Sequence, residues 1–296
     1  MKKNLLFFGV SFTVLLSACG PGSGEGEGEA QGESVDTTTE VSHENVVYYA
    51  APSPMEVVNM IETTDVPFNG ALMNAPSKVS NYTTTVKKAT NLGVYGADLS
   101  YVALFDQTQK SRDYLNVIKG LSDELGMTGA FEKDFLTQLE KNIANRDSLL
   151  RIISQFYWDA DTYLSENERS VTSALMAAGG WVEGMYLSTQ IAKKNGKNTE
   201  AMVQRIAEQK LTLKNLVLLL KLQGSENLDA AEIISGLEGI KASFEAVEIS
   251  YSAPEVETKD DAGMTRVGGS SNVTISPENL AEITGKIEQL RALIVN

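Results

Sequence analysis

The chain has 296 residues and carries 39 acidic against 25 basic side chains, a net charge of −14. So acidic a surface disfavours nucleic acid, whose binding depends on neutralising phosphates. A single cysteine and a single histidine exclude an internal disulfide and leave histidine-assisted catalysis without a candidate in the body of the chain.

The N-terminus sets a lysine pair, Lys2 and Lys3, before an apolar run over residues 5–18. A membrane-spanning helix needs roughly 20 apolar residues, so this run is too short to span and fits the apolar region of a secretory signal peptide. It ends in Leu16-Ser17-Ala18-Cys19, with leucine where an ordinary signal-peptidase site needs a small residue. Leu16-Ser17-Ala18-Cys19 resembles the lipobox of bacterial lipoprotein precursors in residue order, position and flanks. The resemblance implies a diacylglycerol on the Cys19 sulfur, cleavage before Cys19 and acylation of the new amine, so that residues 1–18 are a signal peptide. Anchoring strength follows from chain number: each buried CH₂ contributes about 0.8 kcal/mol, and one chain alone holds only marginally. By the same resemblance Gly20, in place of an aspartate, points to the outer membrane.

Residues 20–46 contain Glu25, Glu27, Glu29, Glu33, Asp36, Glu40 and Glu44, with no lysine, arginine or aromatic. Such a composition predicts a disordered acidic tether. It also holds His43, the lone histidine. The lipidated Cys19 and its tether are expected to span residues 19–52.

From residue 53 to 296 the pattern predicts one all-α domain, a multi-helix bundle of eight or nine helices. Ser53-Pro54-Met55-Glu56 reads as a capping box. A long helical pattern runs from about Ser77 to Asp106. Tyr114, Ile118, Leu121 and Leu125 mark the next helix, stopped by Gly126, and Phe131, Phe135, Leu139 and Ile143 mark another. Asp147 reads as the N-cap of a helix carrying Leu149, Ile153, Phe156, Ala160 and Tyr163. Further helices are expected from about Ser170 to Lys194 and from Thr199 to Gly224. Leu237, Ile240, Phe244, Val247 and Tyr251 form a heptad-like seam, repeated by Leu280, Ile283, Ile287, Leu290 and Ile294 after a Ser276-Pro277-Glu278 start. Between the seams, residues 252–275 form a long connection with room for a small β-hairpin.

Two glycine-rich phrases, GVYGADLSY at 93–101 and GGWVEGMY at 179–186, interrupt helical patterns. Glycine inside a helix costs up to about 1 kcal/mol relative to alanine, so close approach of two helices is the natural compensation. Gly93, Ala97 and Ser100 on one face, and Ala177, Gly180 and Gly184 on another, predict such a crossing. Each phrase also places one acid, Asp98 or Glu183, among apolar i±3 and i±4 neighbours. A carboxylate so placed must find hydrogen bonds or a positive partner, or hold a proton. With Tyr101, Tyr186 and the acids Asp159 and Asp161 of FYWDADTYL, these residues form the candidate polar site, structural or ligand-binding. No metal-ligand motif or cofactor-binding loop occurs, so no cofactor or metal is expected.

NLGVYGADLSY, GGWVEGMYL and ISPENLAEITGKIEQLRALIV together resemble uncharacterised helical lipoproteins of Bacteroidota. The expected function is that of a lipid-anchored cell-envelope lipoprotein, non-catalytic, with a binding or scaffolding role. Its expected partners are the membrane, through Cys19, and an envelope protein or surface ligand. The alternative is a helical enzyme, or a small-ligand or metal binder, with a carboxylate and aromatic pocket around Asp98 and Glu183.

Overall fold

The computed structural model describes residues 61–62, 66–130, 135–193, 199–224, 230–251, 255–259, 264–268 and 271–296. The Ser53–Glu56 capping box, the Cys19 anchor and the tether lie outside these residues. The described helices are α1 (Thr85–Leu104), α2 (Thr108–Glu124), α3 (Phe135–Asn142), α4 (Arg146–Glu166), α5 (Ser170–Ala192), α6 (Thr199–Gly224), α7 (Ala231–Phe244) and α8 (Pro277–Val295). The fold is all-α, as the periodicity predicts, with eight helices among the described residues. None of these helices is long and apolar enough to cross a membrane.

Caps and breakers account for several helix boundaries. Ser276 accepts from Asn279 N at 3.1 Å and opens α8, with Pro277 in the first turn. Gly126 (φ +66°) closes α2, with Met127 N bonding back to Ser122 O at 2.9 Å. Asp106 and Glu168 take the same left-handed position after α1 and α4 at φ 54° and 59°.

Three boundaries differ from expectation. The pattern read as one helix from Ser77 is a 3₁₀ stretch, Pro76–Asn81, followed by a break before α1. The β-branched Thr83-Thr84-Thr85 run disfavours continuation, and Thr84 caps α1 by accepting from Lys87 N at 3.2 Å. The cap of α4 is Asn145, which accepts from Ser148 N at 2.9 Å, and Asp147 lies in the first turn. The first heptad-like seam stops at Phe244. Val247 is buried beyond the helix, and Tyr251 belongs to a strand.

That strand is β1 (Glu248–Tyr251), which pairs antiparallel with β4 (Ser271–Thr274) in the register Glu248↔Thr274 to Tyr251↔Ser271. Inside this pair, β2 (Glu255–Lys259) and β3 (Met264–Gly268) are also antiparallel, from Glu255↔Gly268 to Lys259↔Met264. The long connection therefore contains two β-ladders, and its β structure begins before residue 252.

α1 and α5 form the centre and make the most extensive helix–helix contact among the described residues. Both are buried on nearly every side, which is why neither shows a narrow apolar stripe. α2, α4, α6 and α8 pack around them. Residues 66–82 run across α1 as a strap, with Val66 and Tyr82 buried and Phe68 stacked on Tyr101 at 5.4 Å between ring centres.

Candidate functional site

The glycines bring α1 and α5 together backbone to backbone. A Cβ added at Gly93 would collide with Met176 O and lie 2.6 Å from Gly180 N. One added at Gly179 would collide with the Thr90 backbone. The close crossing is as predicted, but its α5 side centres on Gly179 with Gly180. Tyr157 of α4 seals one edge, donating from its hydroxyl to Gly93 O at 3.0 Å and leaving no room for a side chain at Gly96.

Asp98 and Glu183 are carried into the centre by these two helices, and both are fully buried. Arg291, one turn from the end of α8, meets Glu183 in a bidentate pair: Nε donates to Oε2 at 2.6 Å and Nη2 to Oε1 at 2.8 Å. Nη2 also donates to Leu72 O of the strap at 2.9 Å, and the guanidinium lies 4.0 Å over the Tyr186 ring. Asp98 Oδ2 accepts from Asn74 N at 3.0 Å, whereas Oδ1 receives no hydrogen bond.

Burial pushes the Asp98 carboxyl well above the usual carboxylate range, and the nearby Glu183 charge pushes it further. Burial raises Glu183 too, but Arg291 opposes that through both its charge and its hydrogen bonds. Two facing carboxyls next to one guanidinium are best satisfied by one proton. It belongs on Asp98, which has no cation bonded to it and whose Oδ1 receives no hydrogen bond. Glu183 then stays ionised against Arg291, and the triad is neutral overall. Burial alone would lower the Arg291 pKa, but the Glu183 charge and hydrogen bonds outweigh it and hold the guanidinium charged.

The surrounding tyrosines serve the strap. Tyr101 hydroxyl accepts from Asn69 N at 3.1 Å, Tyr95 hydroxyl donates to Ala75 O at 3.0 Å, and Tyr114 hydroxyl donates to Asn74 O at 2.9 Å. Burial raises the pKa of all three, so each stays protonated. The Asn74 side chain donates to Tyr82 hydroxyl at 2.9 Å and to Asn91 Oδ1 at 3.3 Å. Asn91 in turn donates to Ile294 O at 2.8 Å, and Lys78 to Asn296 Oδ1 at 2.9 Å and Val295 O at 3.3 Å. The last carbonyls of α8, which have no partners within the helix, are thus met by side chains of α1 and the strap.

Of the predicted site residues, Asp98, Glu183, Tyr101 and Tyr186 do gather here. Asp159 and Asp161 bond elsewhere, Asp159 to Gln155 Nε2 at 2.7 Å and Asp161 to the Ser173 hydroxyl. Among the described residues no three His, Cys, Asp or Glu side chains group closely enough to hold a metal ion. Arg291 and Asn74 are absent from the sequence-predicted set. Arg291 carried a weaker form of the signal, since Ile287, Ile294 and Val295 are its i±4 and i+3 neighbours but its i−3 neighbour is Glu288. Two surface grooves, of about 610 and 660 Å³, share Glu232 and Leu293 and include none of the central triad.

Comparison of the chain with protein-family models, curated proteins and solved structures returned no match.

Proposed function

We propose that this chain is a lipid-anchored protein of the bacterial cell envelope, held through Cys19, and that its helical domain binds or scaffolds another component without catalysing a reaction. The observation that carries the non-catalytic part is that the chain itself engages most of the central polar cluster, leaving only Asp98 Oδ1 and Asn74 Oδ1 without a donor, and both of these are buried. Both oxygens of Glu183 are taken by Arg291, Asp98 Oδ2 by a strap amide, and the tyrosine hydroxyls by strap backbone. A substrate would have to open this fully buried cluster to reach Asp98 or Glu183. The membrane part rests on the lysine pair, the short apolar run and the Leu16–Cys19 sequence. The outer membrane is the assigned site, by the resemblance of Cys19-Gly20 to precursors that are not retained at the inner membrane.

The test is growth of cells expressing the full chain with a labelled fatty acid, beside a Cys19→Ser variant. Label should enter the wild-type chain only, with cleavage before Cys19 seen by mass spectrometry. Label in Cys19→Ser would overturn the anchor. Crosslinking in intact envelopes then reports what the domain holds, and turnover of a small molecule by the wild-type domain that is lost in a folded Asp98→Asn variant would overturn the non-catalytic reading.

A further inference from the structure

Helix α6 buries one face through Met202, Ile206, Leu213, Leu216, Val217 and Leu220. Its opposite face carries a second, solvent-facing row: Gln204, Glu208, Leu211, Asn215, Leu218 and Leu222, spaced 4, 3, 4, 3, 4. Leu211, Leu218 and Leu222 are 57%, 37% and 66% exposed, three of the five large apolar side chains that stand out in solvent among the described residues. The spacing is that of a coiled-coil seam, with Leu211 and Leu218 at d positions and Glu208, Asn215 and Leu222 at a positions.

Of the basic groups beside the row, Arg205 pairs with Glu208, Lys210 with Glu245 at 4.0 Å and Val247 O at 2.9 Å, and Lys221 with Glu238, which leaves the exposed Lys214 as the one without a partner among the described residues. Little net charge is left to draw an anionic lipid surface or an acidic peptide. The row instead suits another helix, and Asn215 restricts which one. A facing leucine would leave its amide without a partner, whereas a facing asparagine supplies both a donor and an acceptor. A two-fold axis parallel to the helices puts the same residue opposite itself. In a parallel pair a faces a′, so Asn215 meets Asn215; in an antiparallel pair a faces d′, and Asn215 would meet leucine. Leucine at d is the choice of parallel two-stranded pairs, in which one asparagine at a fixes register.

We propose that α6 pairs in parallel, about a two-fold axis, with α6 of a second copy of this chain through Leu211, Asn215, Leu218 and Leu222. The interface is short. Three leucine layers fall below the roughly 1,200–2,000 Å² of a stable dimer, so pairing is weak and reversible in dilute solution. Because α6 is already folded within the bundle, pairing bears no cost of helix formation. Holding copies on one surface raises their effective concentration toward the millimolar range, where a weak contact fills. The pair gives the scaffolding role a partner, but it does not depend on the lipid anchor.

The experiment uses the chain from residue 19 with Cys19→Ser, which has no thiol and keeps Val47–Asn296 whole. Sedimentation from micromolar to millimolar concentration should show a reversible monomer–dimer equilibrium, and Leu218→Glu should raise the dimer Kd at least tenfold with the melt unchanged. Leu218→Cys, then the only thiol, should oxidise to a 218–218′ dimer much faster than Trp158→Cys, which tests the pair even where Leu218→Glu folds poorly. A monomer at every concentration, or crosslinking no faster than in the Trp158 control, overturns the proposal. So does a preference for 211–218′ disulfides when Leu211→Cys and Leu218→Cys chains are mixed, since that marks an antiparallel pair. Flotation with phosphatidylglycerol vesicles that is lost in Leu218→Glu would assign the row to a membrane surface instead, and also overturns it.

Discussion

Asp98 differs from Glu183 in what its second oxygen touches, and that difference sets how stability depends on pH. In the unfolded chain Asp98 titrates near its ordinary 3.8, whereas in the folded chain its pKa lies well above that. The native state therefore holds a proton that the unfolded state has released. The stability so gained is complete below about pH 4 and is lost as pH rises through the native pKa. Glu183 is raised as well and adds to the same slope. Glu288, lowered chiefly by its hydrogen bond from Lys193, works in the opposite sense and is felt only as pH falls through its native pKa. An amide at position 98 can mimic the protonated acid, accepting from Asn74 N and donating toward Glu183. Asp98→Asn should stay within about 1 kcal/mol of wild type at neutral pH and flatten the loss of stability above pH 4, whereas Asp98→Ala should lose about 1–3 kcal/mol by stranding its partners. Urea denaturation between pH 5 and 9 distinguishes these. If Asp98→Asn were as costly as Asp98→Ala, with the pH slope unchanged, the proton would not be on Asp98.

At the level of helices, the crossing of α1 and α5 depends on glycines whose missing side chains are the contact. Gly93→Ala forces the Met176 backbone away and should cost about 1–3 kcal/mol or more. Gly120, on α2 with open space where its side chain would be, is the control: Gly120→Ala should stabilise by up to about 1 kcal/mol. Thermal melts of the two variants should move in opposite directions, and equal shifts would show that the glycines matter only through helix propensity. This crossing was legible because glycine in a buried helix needs a local reason. The strap was not. Its grip uses backbone groups of Asn69, Leu72, Asn74 and Ala75, which every sequence possesses, so nothing in residues 66–82 announces that tyrosines from α1 and α2 will hold them. Tyr251 was misplaced because a seam of period 3.5 and an alternating strand coincide over a few residues, and Ile249-Ser250-Tyr251 fits both. Arg291 was legible in principle. A cation beside Ile287, Ile294 and Val295 needs an anion, but Glu288 at i−3 offered a local one and so masked the two buried acids; in the structure Glu288 bonds to Lys193 and Gln190 instead.

Over the whole molecule, the triad and its tyrosines join the start of the described fold to its end. Arg291 near the C-terminus holds the strap, while Asn91, Tyr82 and Lys78 hold the last turn of α8, so both ends of the described fold close on α1. The segment before Val47 should then be removable, whereas the strap, and the buried Ile61 ahead of it, should not. Two truncations separate these cases, one beginning at Val47, where the compact unit starts, and one at Thr83, just past the strap. The first leaves every bond described above in place and should keep the circular dichroism per helical residue and the cooperative melt of the longer chain. The second removes Asn69, Leu72, Asn74 and Ala75 from Tyr101, Arg291, Asp98, Tyr114 and Tyr95. Each buried group left without its partner costs about 1–3 kcal/mol, and five of them approach the roughly 5–15 kcal/mol that holds a whole domain together. The chain from Thr83 should therefore melt broadly at a much lower temperature or fail to fold. A peptide of residues 66–82 added in trans should restore part of the loss, since the groups that grip it are side chains on α1, α2 and α8. A sharp melt from the Thr83 chain, at the temperature of the Val47 chain, would show that the strap lies on the bundle without holding it.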